Sequence, residues 1–192
     1  MKFATRALLL LAGLAGVETS YQARGAETYQ ADPVHSSVVF RVKHANTAFF
    51  WGRFNEISGG FALDSADPSQ VKLDFQVKAA SVDTGNAKRD QHLKGPDFLN
   101  AAQFPTITFA SKSVEKSGDA YLVTGDMTLH GATRPVTVHV TPTGTGRGPT
   151  GTEIGGIEAS VVIRQSDFGI TKMAAMIADN VLIYISVEGI RH

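Results

Sequence analysis

Arg89, Asp90 and His92 stand almost side by side on the single stretch whose content favours helix, close to apolar Leu93, Phe98 and Leu99. A guanidinium offers a planar fork of donors suited to phosphate, and an imidazole can donate to a phosphate or carbonyl oxygen. The trio can therefore form a polar mouth over an apolar space. It can equally be scaffold, with Arg89 and Asp90 pinning the segment through ion pairs and backbone caps, or His92 and Asp90 can act as acid and base on a small apolar substrate. The remaining candidates give catalysis and metal binding little support. His35, His44, His130, His139 and His192 include no His-x-His pair, no i, i+4 pair and no Cys partner, so no metal is expected, although His44 and His92 are free to converge in space. Gly146-Arg147-Gly148-Pro149-Thr150-Gly151 matches the glycine spacing of a dinucleotide fingerprint. It holds a proline and is flanked by strand patterns rather than a βαβ unit, so it reads as a loop. No Gly-x-Ser-x-Gly elbow occurs, and Asp64 and Asp67 sit in a turn while Asp90 and Asp97 flank the helix-like insertion. No enzyme activity and no cofactor are expected.

These residues are held by a chain of 192 residues in which 18 Lys and Arg balance 18 Asp and Glu, with 0 Cys. Formal neutrality provides no basic face for nucleic acid. Without Cys there is neither disulfide nor thiolate chemistry, and stability must come from the core. Lys2 and Arg6 precede an apolar run from Ala7 to Val17, and small Ala23, Gly25 and Ala26 follow. That is the pattern of a secretory signal peptide. The run is shorter than the roughly 20 residues a membrane-crossing helix needs, so a leader over 1–25, cleaved after Gly25, and one domain over 26–192 are expected. Export to a bacterial periplasm follows.

From Val34 onward the apolar period is two. Val38, Phe40 and Val42 alternate with Val39, Arg41 and Lys43, and Val71 to Val77 alternates with Lys72 to Lys78. The pattern recurs over 106–110, 121–129, 135–141, 157–164 and 181–188, so these are strands with one dry face. Turn signals stand between them at Ser58-Gly59-Gly60, Ala66-Asp67-Pro68, Lys116 to Asp119 and His130-Gly131. Helix content is confined to Asn86 to Leu99, with Asp83 or Thr84 as cap and Gly95-Pro96 as break. With no crossover helices the sheet must be antiparallel, and closure removes its exposed edges. The expected fold is all-β: an antiparallel up-and-down barrel of about eight strands with a short helical insertion. Most of the 11 Phe fall on the dry register or in the insertion. Periodicity leaves open whether they fill a solid core or line a hole, because a barrel of this size does either.

Several spaced motifs resemble the YceI-like family. They are Ser81-Val82-Asp83-Thr84, Arg89-Asp90-Gln91-His92-Leu93, Asp97-Phe98-Leu99-Asn100 and Phe104-Pro105-Thr106, then Thr124 to Gly131 with Thr133-Arg134-Pro135-Val136, and finally Ser186-Val187-Glu188-Gly189. The resemblance runs from about Tyr29 to Ile190. It implies a lipocalin-like periplasmic barrel that binds a polyisoprenoid in an elongated apolar channel. On that footing the ligand is expected to meet the inward stripe of Phe40, Val42, Phe54, Phe61, Leu73, Phe75, Val77, Ile107, Phe109, Met127, Leu129, Val138 and Ile183, with Phe98 beside it and Arg89, Asp90 and His92 at the head group. The 141–156 segment resembles a family loop that often carries aromatic residues and here carries none. Met173 and Met176 lie on an apolar bend placed to plug a barrel end or brush a lipid tail. The expected partner is an isoprenoid or isoprenoid-quinone lipid, carried by a monomer or homodimer. The alternative is a solid-core protein that partners a membrane electron-transfer protein.

Overall fold

The computed structural model describes residues 25–64 and 66–192; the leader expected over 1–25 thus lies, but for Gly25, outside the described residues. Eleven strands follow in chain order: β1 (Glu27–Ala31), β2 (Ser37–His44), β3 (Ala48–Phe54), β4 (Ile57–Leu63), β5 (Lys72–Lys78), β6 (Val82–Asp83), β7 (Thr106–Ser117), β8 (Ala120–Leu129), β9 (Ala132–Arg147), β10 (Glu153–Arg164) and β11 (Ile177–Arg191). One helix, α1 (Ala87–Lys94), lies between β6 and β7. Every pairing is antiparallel, and β1 closes the sheet by pairing with both β4 and β11.

The strands wind as an eight-strand closed barrel because the first three strands of the meander are each broken in two. β1 and β2 both lie along β11, the first opposite Gly189 to Arg191 and the second opposite Ile177 to Ser186. Between them Pro33 has no N–H to give the ladder, and Asp32 accepts from Val34 N at 2.8 Å, so the chain steps aside and rejoins. β3 with β4, and β5 with β6, bend in the same way. Asn55 N donates to Ser81 O at 3.1 Å and Glu56 N to Ser81 Oγ at 3.1 Å, so one bend braces the other.

Alternation selects the inside. On β8, Tyr121, Val123, Met127 and Leu129 are buried, while Leu122, Thr124, Asp126 and Thr128 are less so. On β10, Ile157, Ala159, Val161 and Ile163 are inward. The interior divides into two halves. In one, Val123, Val140 and Val187 pack with essentially no exposure, and Tyr29 stacks on Phe61 with ring centres 4.9 Å apart. Burial, and then the hydrogen bond from its hydroxyl to Glu27 at 2.7 Å, push the Tyr29 phenol up to about 12. The other half is open.

Three expectations about local structure are corrected. The stretch 141–156 is mostly strand, with only 148–152 as the turn. Thr141, Thr143 and Thr145 carry β-propensity, and a register shift at Gly156 and Ile157 accommodates Pro142. A side chain at Gly155 would stand 2.6 Å from the Tyr29 ring and one at Gly189 2.8 Å from Phe61. These glycines therefore make room for the stacked pair rather than supply flexibility. Ser58-Gly59-Gly60 is likewise interior to β4, where the Asp74 and Tyr29 carbonyls approach too closely for any Cβ and Gly59 has φ +109°. The cap of α1 is Asn86, accepting from Arg89 N at 3.0 Å, because Asp83 and Thr84 are engaged elsewhere.

Candidate ligand cavity

The unfilled half of the barrel is a cavity of about 510 Å³, within the size range of small-molecule sites. Its wall comes from nearly every strand. β2 contributes Phe40 and Val42, β3 Phe54, β5 Leu73, Phe75 and Val77, β7 Ile107 and Phe109, β8 Met127 and Leu129, β9 Val138, and β11 Ile183. Phe98, Arg89 and His92 join them from the insertion. The polar side chains on this wall are few: His44, Arg89, His92, Thr108 and Gln165 among the described residues. No buried side-chain polar atom among the described residues lacks a hydrogen-bond partner, so the surface presented to an occupant is essentially carbon.

Two expected residues stand off this wall. Phe61 faces inward as its register requires, but lies in the packed half against Tyr29 and serves as floor. Asp90 turns back into the chain, accepting from Thr84 N at 2.9 Å and from the Thr84 hydroxyl. Arg89 reaches the same threonine, with Nε 2.7 Å from Oγ1 and Nη2 2.7 Å from the carbonyl oxygen, and its guanidinium carbon lies 4.9 Å above the Phe50 ring. One guanidinium thus pins α1 and also borders the cavity.

The insertion is built to sit over the opening. α1 ends where Gly95 N bonds His92 O at 3.0 Å, and Leu99 N returns to Leu93 O at 2.9 Å, folding Leu93, Phe98 and Leu99 toward the apolar space. His92 packs edge-on against Phe98 with centres 5.0 Å apart, and its Nε2 is 3.6 Å from Asp97. Lys172 Nζ lies 3.7 Å from the same carboxylate, linking the insertion to the segment before β11. His44 and His92 are both exposed and both border the cavity, so they stand at its mouth. Met173 borders it too, whereas Met176 does not.

Several lining residues escaped the sequence reading. Ile157, Ala159, Val161 and Ile163 form a whole stripe on β10 that their alternation would have revealed. Ala48, Phe49 and Phe50 on β3 were harder, because three successive aromatics from Phe49 to Trp51 erase the period-two signal. Among the described residues one His and carboxylate group has metal-like spacing, Asp32, His35 and Glu188. It lies off the cavity wall, and its shortest contact is a 2.8 Å pair between His35 Nδ1 and Asp32. That pair holds the His35 imidazole above its ordinary range and Asp32 below its own.

A closed antiparallel barrel, solid at one end and hollow at the other, with a helix-bearing insertion at the mouth, defines a lipocalin-like barrel protein. The chain matches the YceI-like domain over residues 29–189 and belongs to that family. It is 41% identical over 157 residues to a UPF0312 protein of Yersinia pestis, covering 82% of each chain. Among solved structures it is similar to Burkholderia cenocepacia BcnA, with 26% identity, a TM-score of 0.75, and coverage of 82% of this chain and 98% of that one. A polyisoprenoid binding domain from Saccharophagus degradans shares the fold at 14% identity and a TM-score of 0.62, over 85% of this chain and 98% of that one.

Proposed function

We propose that the protein is a periplasmic carrier that holds a long isoprenoid lipid in the open half of its barrel, with the tail against the carbon wall and the head group at the mouth. The observation that carries this reading is the cavity itself, an apolar space of about 510 Å³ open at one end of an otherwise packed barrel. The relationship to a family with a polyisoprenoid-binding neighbour supports the choice of lipid. The N-terminal leader pattern supports export.

Affinity comes from the tail. Each buried methylene contributes about 0.8 kcal/mol, and association costs about 4–15 kcal/mol, so on the order of ten buried carbons offset the cost and the rest of the chain sets the affinity. Phe40, Phe54, Phe75 and Phe109 give the wall rigid area that loses little entropy when the tail arrives. Arg89, His92 and His44 are the groups placed to meet a phosphate or a quinone-type oxygen. Asp90 acts at one remove by fixing Thr84. The lipid is cargo, so the mechanism needs neither cofactor nor covalent step.

Native purification followed by organic extraction and mass spectrometry tests this. The expected result is one polyprenyl lipid per chain. An empty barrel that also rejects added polyprenyl phosphates would overturn it.

A further inference from the structure

The outside of the barrel is not uniformly polar. Of the eight large apolar side chains exposed among the described residues, six lie at the mouth or on the wall beside it: Phe49, Trp51, Val162, Met173, Met176 and Tyr184. They follow from the register. Trp51, Arg41, Leu182 and Val162 are successive partners across β3, β2, β11 and β10, and so share one outward row. The neighbouring row places Tyr184 opposite Val39, and Lys43 stands opposite Phe49. Trp51 stacks on Tyr184 with centres 6.2 Å apart, and the Arg41 guanidinium lies 4.5 Å from the Phe49 ring centre and 5.7 Å from that of Trp51.

Two loops carry this patch to the mouth. Ala45 N, at the tip of the β2–β3 hairpin, donates to Met176 O at 2.6 Å, joining the hairpin to the exposed run from Met173 to Met176. Met173 and Phe49 also border the cavity, so outer patch and inner wall are continuous. Among the described residues neither Arg41 nor Lys43 has a carboxylate partner; the row of Trp51, Arg41, Leu182 and Val162 contains no carboxylate, and the row of Tyr184 and Val39 meets one only at its far edge, where Asp83 stands opposite Arg53. Aromatic side chains with a polar edge, unpaired cations and a short apolar loop are the chemistry of a bilayer interface.

We propose that this face docks the barrel, mouth first, on an anionic lipid surface. Trp51 and Tyr184 sit at head-group depth, Met173 and Met176 enter the acyl boundary, and Arg41 and Lys43 meet lipid phosphates. The charges favour lipid over a second copy of the chain, because a two-fold pairing across the patch would set Arg41 and Lys43 against themselves. The inference rests on the carrier reading and deepens it, since an apolar tail leaving such a mouth enters the bilayer without crossing water.

Trp51 is the only tryptophan in the sequence, where Trp is counted once, so its fluorescence reports on this face alone. The protein recovered after export is titrated with phosphatidylcholine vesicles with and without phosphatidylglycerol, some carrying brominated acyl chains. A blue shift and bromine quenching are expected with the anionic vesicles and not the neutral ones, weakening with salt. Lys43→Gln should weaken binding about fivefold, Lys43→Arg should restore it, and Met176→Asp should abolish quenching. Both Lys43 variants should retain the extracted lipid and an unchanged circular dichroism spectrum. No Trp51 response to anionic vesicles overturns the docking proposal even where the barrel contains its lipid. A Trp51 shift that tracks protein concentration without vesicles, together with a dimer in sedimentation, overturns it in favour of a second copy. A full vesicle response from a barrel that never holds lipid leaves docking standing and removes the carrier reading.

Discussion

Replacing Val140 and Val138 with alanine, one at a time, probes the division of the barrel into a solid and a hollow half. Both valines point inward from β9, two residues apart, and they are 0% and 5% exposed. Val138 borders the cavity and Val140 does not. Each change removes about two methylene equivalents, worth about 1.6 kcal/mol in transfer alone. At Val140 the surrounding atoms are packed on every side, so a cavity term adds to that and the total is about 2–3 kcal/mol. At Val138 the methyl groups already face a void and have few contacts to lose on that side, so the loss is about 1 kcal/mol. For a domain of this size 1 kcal/mol moves Tm by about 2–4 °C, which predicts a fall of roughly 5–10 °C for Val140→Ala against roughly 2–4 °C for Val138→Ala. The assay is calorimetric unfolding of delipidated protein, since bound lipid would raise both Tm values by mass action. Lipid uptake should change only for Val138→Ala. Equal stability losses in the delipidated variants, or the larger loss at Val138, would refute the two-part interior.

Gly155→Ala should lower Tm by about 2–10 °C, the cost of forcing a Cβ to within 2.6 Å of the Tyr29 ring; a shorter residue at Tyr29 should suppress that cost, and unchanged Tm in Gly155→Ala would contradict the packed floor. Proton NMR of His35 should show a midpoint above the ordinary 6.5 because of Asp32, and Asp32→Asn should return it toward that value. Since folding raises the His35 value, its contribution to stability is complete below pH 6.5 and is lost as pH rises through the folded midpoint; loss on acidification between those values would reverse the assignment. Arg89→Ala should raise hydrogen exchange across α1 and reduce lipid content together, because the guanidinium both anchors Thr84 and borders the cavity. Lipid loss with α1 fully protected would confine Arg89 to the head group.

The barrel was legible in the sequence because one dry face imposes period two, and β5 displays it without interruption. Most of the cavity wall follows from the same register. What the pattern could not reveal is where along each strand packing stops, since Val138 and Val140 have the same type and face but different surroundings. Phe61 was placed on the correct face for that reason and still falls in the floor. Glycine was the other blind spot. At Ser58 to Gly60 and at Gly155 it looked like a turn or loop, whereas carbonyls and a tyrosine ring crowd those positions in the folded barrel. Asp90 looked like a head-group residue because its neighbours are; only the fold shows its carboxylate turned toward Thr84.

The central claim is that lipid occupies the hollow half, and Ala159→Trp tests it most directly. Ala159 lies on the cavity wall at mid-β10, buried and small, so an indole there enters existing space instead of displacing packed atoms. Delipidated wild type and variant are titrated with a polyprenyl phosphate by calorimetry, with Tm followed in parallel. One molecule bound per wild-type chain and none by an Ala159→Trp protein of undiminished Tm is the predicted result. Equal binding by both proteins, or binding by neither, would contradict the claim.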